Sequence, residues 1–144
     1  MPLPLPNMSL TLDQLEGVVW GEPGFQSHLV VECHRLRRIP LREFTPANLR
    51  IMIGQNIGLE HLVPLALQAL ADDPLLDAEL YAGDLFSALV RSDRAFWSAH
   101  PDLRAKLASI VDEATSRYYA LDECDREISE SAFLGDLSQF QRSA

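Results

Sequence analysis

A chain of 144 residues and 16.1 kDa holds one ordinary domain and leaves no room for two full cores. Hydrophobic residues at 47% and charged residues at 23% exclude a disordered or collagenous chain. Asp and Glu total 21 against 12 Lys and Arg, a formal net charge of −9. This argues against binding nucleic acid or an anionic bilayer and favours a basic protein partner, attracted at long range.

Residues 1–8 read as a loose leader, because alternating prolines favour an extended, unpaired backbone. This stretch lacks the positive start and apolar run of a secretory signal. No stretch supplies the roughly 18 apolar residues of a membrane span. Cys33 and Cys124 can form one bridge at most, which fits a reducing compartment. The reading is a cytoplasmic protein.

A helical domain is predicted over residues 9–128. Ser9 to Gly17 forms a short helix, with Leu12, Leu15, Val18 and Val19 inward and Gly17 as its stop. Trp20 then anchors a turn through Gly21. Ser27 caps a helix to about Arg38, with Leu29, Val30, Cys33, Leu36 and Arg37 marking its faces, and Pro40 ends it. Thr45 and Pro46 open the next helix as cap and first helical residue. Gly54, Gln55, Asn56 and Gly58 mark a tight helix-to-helix corner.

A helix follows from Leu59 to Ala71, with Pro64 in its first turns, where a missing N–H costs least. Asp72, Asp73 and Pro74 stop it, and Leu75 to Tyr81 reads as loop with one helical turn. Asp84 to Arg91 is a short apolar helix. Ser92 or Asp93 caps another, which ends at His100 and Pro101 and carries Phe96 and Trp97. The longest helix runs from Asp102 to about Ile128. Phe133, Leu137 and Phe140 keep helical spacing in a tail over 129–144. The fold class is all-α: a compact bundle of about six to eight helices with one long C-terminal helix.

Catalytic patterns are missing. No nucleophile elbow, phosphate loop or dinucleotide fingerprint occurs. His28 and Glu32 share a helix face and Cys33 lies beside them, but no second ligand pair stands at metal-site spacing. A metal-dependent enzyme built on His28, Glu32 and Cys33 is therefore the weakest alternative. A helical adaptor or regulatory scaffold is another. No cofactor is implied. Arg35, Arg37, Arg38 and Arg42 read as solvated faces with weak salt bridges.

The acidic residues carry the functional signal. Asp72, Asp73, Asp77, Glu79 and Asp84 form one cluster with no Lys or Arg between them. A second cluster contains Asp122, Glu123 and Asp125. Tyr81, among the carboxylates, suits an interface anchor.

Several stretches together resemble the immunity proteins of bacterial contact-dependent growth inhibition (CDI). They are residues 19–23, 40–45, 49–60 and 63–67, then Gly83-Asp84-Leu85, Phe96-Trp97 and His100-Pro101. The run from Arg50 to Leu59 is the specific part. Ala82 departs from the proline associated with that stretch of the family. The resemblance covers about residues 9–115 and implies a small, non-enzymatic cytoplasmic binder. It would block the active site of a delivered toxin domain, with basic nucleases resembling pancreatic-type ribonucleases foremost. The oligomeric state is left open by the sequence, with a monomer or a 1:1 complex favoured. Trp20, Gly21, Gly54, Gln55, Asn56, Gly58 and Trp97 read as fold-forming motif residues. Toxin contacts are assigned instead to Asp72, Asp73, Asp77, Glu79, Tyr81 and Asp84, and secondarily to Asp122, Glu123 and Asp125.

Overall fold

A computed structural model describes residues 7–20, 27–80 and 83–120. Among these residues the chain is all-α, as its periodicity predicts. Seven α-helices follow in order: α1 (Leu12–Glu16), α2 (His28–Leu36), α3 (Pro46–Gly54), α4 (Leu59–Asp72), α5 (Asp84–Arg91), α6 (Arg94–Ala99) and α7 (Pro101–Ala120), with a 3₁₀ turn at Leu41–Glu43. Residues 1–6 of the predicted leader, Gly21, Tyr81, Ala82, the predicted continuation of the last helix over 121–128 and the tail over 129–144 lie outside the described residues.

Local chemistry sets the boundaries. The Thr11 side chain accepts from the Gln14 N–H while the Gln14 side chain accepts from the Thr11 N–H, a reciprocal capping box. Thr45 and Asn48 repeat it at α3, where Pro46 takes the first turn. Ser27 caps α2 by accepting from Val30 N at 3.1 Å. Asp93 caps α6 by accepting from Ala95 N at 3.1 Å. Ser92 is not the cap. It is buried, donates to the Leu89 carbonyl and accepts from Trp97 Nε1 at 2.8 Å, which fixes the indole in the core.

The core joins all the helices. α3 packs chiefly on α5 and next on α4, and α7 covers α4 and α6. Leu12, Leu36, Met52, Ile53, Leu62, Leu70, Leu85, Phe86 and Leu89 are almost fully enclosed. Each such aliphatic or aromatic side chain contributes about 1.5–3 kcal/mol by leaving water. Leu103, Leu107, Ile110, Val111 and Ala114 form the buried stripe of α7.

The α3–α4 corner stands where the sequence marks it. Gly54 ends α3 with open space where a Cβ would stand. The left-handed conformations fall at Asn56 (φ 58°) and Gly58 (φ 64°). A Cβ at Gly58 would meet Leu12 Cδ2 at 2.9 Å, so this glycine also lets α1 seat against α4. Gln55 is exposed and ends the helix, while Asn56 Oδ1 accepts from Asp93 N at 2.8 Å and ties the corner to α6.

Three expectations are corrected. Val18 and Val19 point outward, Val19 being 78% exposed, because the chain leaves α1 at left-handed Gly17 before reaching them. Pro64 is the sixth residue of α4, past the orphan N–H groups, so the Glu60 carbonyl loses its helical donor; Glu60 is exposed and water can serve it. Arg37 is not on a solvated face. It is 1% exposed, with Nε donating to Asp13 Oδ1 at 2.8 Å and Nη1 donating to Glu16 Oε1. Its guanidinium lies 4.4 Å from the Trp20 ring centre, a cation–π contact.

Candidate functional site

The first acidic cluster occupies the end of α4 and the turn leading to α5. Asp73 closes α4 with extended backbone, and Leu76 N donates back to its carbonyl at 3.1 Å. Pro74 and Leu75 turn inward. Gly83 N donates to the Leu75 carbonyl at 3.1 Å and closes the loop. Asp72, Asp73, Asp77 and Glu79 are all exposed. Among the described residues Asp72 and Asp77 take no ion pair, while Asp73 lies 3.9 Å from Arg117, itself bonded to Glu113 on α7.

Asp84, expected among the contact residues, faces inward instead. It is 3% exposed, and its carboxylate accepts from Ala78 N at 2.7 Å, Glu79 N at 3.1 Å and Leu80 N at 2.9 Å. Three adjacent donors converge on one anion, which also stands in the first turn of α5, where the helix dipole favours negative charge. Asp84 therefore shapes the turn that displays Asp77, Glu79 and Leu80.

The cluster lacks a nearby cation in sequence but has one in space. Arg50, from α3, donates from Nη2 to Glu79 Oε2 at 3.1 Å and places Nε 3.7 Å from Asp84 Oδ2. That Nε is enclosed and makes no hydrogen bond. Arg50 thus offsets part of the negative charge and pins α3 to the turn. Tyr81, Asp122, Glu123 and Asp125 lie outside the described residues.

His28, Glu32 and Cys33 do not converge. Both oxygens of Glu32 are taken by Arg35, which holds the carboxyl below the usual carboxylate range. Cys33 turns into the core, and burial pushes its thiol up, away from the reactive thiolate. Among the described residues no three His, Cys, Asp or Glu side chains form a group that could hold a metal ion.

The described helices meet at the corner over 54–58 and leave a carboxylate-bearing edge outside. The family model of the CDI immunity proteins matches residues 14–107, about two thirds of the chain. The chain belongs to this family. No curated protein and no solved structure matches it. As a CDI immunity protein it neutralises a toxin of that system, and the family is generally non-enzymatic. The matched stretch holds the corner at 54–58, the acidic turn and its buried Asp84. Among the described residues, no helix of this CDI immunity protein is long and apolar enough to cross a membrane.

Proposed function

We propose that this CDI immunity protein works in the cytoplasm as a monomer that binds its cognate toxin domain 1:1, covering a basic active site with negative surface. The toxin class that fits is a nuclease, with one resembling pancreatic-type ribonucleases as the first candidate, since an enzyme that cleaves nucleic acid lines its substrate groove with cations. The observation carrying this reading is the edge at the end of α4, where Asp72, Asp73, Asp77 and Glu79 stand exposed on a chain of net charge −9. Tyr81, Asp122, Glu123 and Asp125 extend the proposed contact surface on sequence grounds. Asp84 supports it from beneath.

Exposed charges that steer an encounter act on the association rate and are screened by salt. Asp72→Lys with Asp73→Lys should slow association with the co-encoded toxin domain by about tenfold at low salt, and the difference should vanish at high salt. Stopped-flow mixing measures both conditions. Equal rates at low salt would remove this edge from the interface.

A further inference from the structure

We propose that a groove beside the acidic edge, between α2, α3 and the turn at 77–80, receives an apolar side chain of the toxin flanked by a Lys or Arg. The groove encloses about 450 Å³, and its lining includes Leu29, Glu32, Arg50, Ile51, Glu79 and Leu80. Single exposed apolar side chains are ordinary on a protein surface. Here two meet at one groove from elements distant in sequence: Leu29 is 43% exposed and Leu80 is 61% exposed.

Leu80 is not on a loose tip. Its own N–H is held by buried Asp84, and Glu79 beside it is held both by Asp84 and by Arg50. A turn fixed by these bonds displays a leucine outward, which is the preorganised anchor that an interface uses. Charge complementarity names the occupant. Glu79 spends Oε2 on Arg50 and leaves Oε1, on a half-exposed side chain, for a second cation. Asp77, which takes no ion pair among the described residues, stands on the same turn. An apolar side chain entering over Ile51 would sit between the two leucines with its basic neighbour against Glu79. The groove shares Glu79 with the acidic edge, so one continuous surface supplies both steering and a dry centre.

This placement rests on the proposed toxin binding, and its test separates the two. The full-length protein and its Leu29→Asp and Leu80→Asp variants are titrated by calorimetry with the co-encoded toxin domain. Circular dichroism and unfolding midpoints confirm that each variant is folded, and Leu→Ser replaces any variant that is not. Each substitution should weaken binding at least tenfold, chiefly through faster dissociation. A smaller effect beside tight wild-type binding overturns the groove and leaves the proposed function standing. A wild-type protein that does not bind the toxin overturns both. Sedimentation of the wild type as a dimer that Leu80→Asp dissociates would assign the groove to a second copy of this chain, and would equally overturn the proposal.

Discussion

Arg37→Met should destabilise the protein by about 3–5 kcal/mol, the cost of breaking a buried pair from one side. The guanidinium is enclosed and paired with Asp13, a buried residue, and with Glu16, about one third exposed. Its Nη2 also reaches the Val18 carbonyl at 3.4 Å. Methionine would fill similar volume but leave the Asp13 carboxylate with no counter-charge in a low-dielectric site. Most of the loss comes from Asp13, because water can still solvate Glu16. α1 is a five-residue helix, too short to persist alone, so it depends on this pair and on Leu12. Urea unfolding measures the change at constant slope. Adding Asp13→Asn and Glu16→Gln should recover part of the loss, because the stranded charges go with it. A loss below about 1 kcal/mol for Arg37→Met would mean that the pair is solvated and that α1 is held otherwise.

Asp84→Ala should cost about 3 kcal/mol, since hydrogen bonds to a charged group contribute about 1.5–3 kcal/mol each and water regains part of what three lose. The substitution orphans the N–H groups of Ala78, Glu79 and Leu80 and removes an anion from the first turn of α5. It also leaves Arg50 with Glu79 alone. The effect should be local as well as global. Amide exchange at residues 78–80 should accelerate more than in α3 or α4, and toxin binding should weaken with the turn released. Native-like protection at 78–80 in Asp84→Ala would show that the turn stands without the carboxylate.

Those two side chains show what a linear reading captures. Caps at Thr11, Ser27, Thr45 and Asp93, the stops at Gly17 and Asp73, and the apolar stripes are local signals, decided by residues one helical turn apart. They place every described helix and the all-α class. Arg37 and Asp13 are 24 residues apart, and Arg50 and Glu79 are 29 apart. No periodicity announces such a pair, so Arg37 reads as a surface charge and the acidic cluster as uncompensated. One signal did exist: Arg37 falls four residues after Cys33 and thus on the buried face of α2. For the acidic turn, sequence proximity groups five carboxylates but cannot tell Asp84, held inward by backbone donors, from four that face water. The family model, in contrast, matches residues 14–107, a span that includes the run from Arg50 to Leu59, whose Asn56 and Gly58 take left-handed conformations at the corner.

Neutralisation by stoichiometric binding is tested most directly by titrating the co-encoded toxin domain with purified full-length protein while following the toxin's activity, with cleavage of RNA as the first assay under the proposed nuclease reading. Activity should fall linearly to its floor at one equivalent, and a toxin pre-bound to the protein should fail to engage its substrate. Full toxin activity at an equimolar dose would contradict inhibition by binding, and loss of activity at far below one equivalent would point to an enzyme acting on the toxin instead.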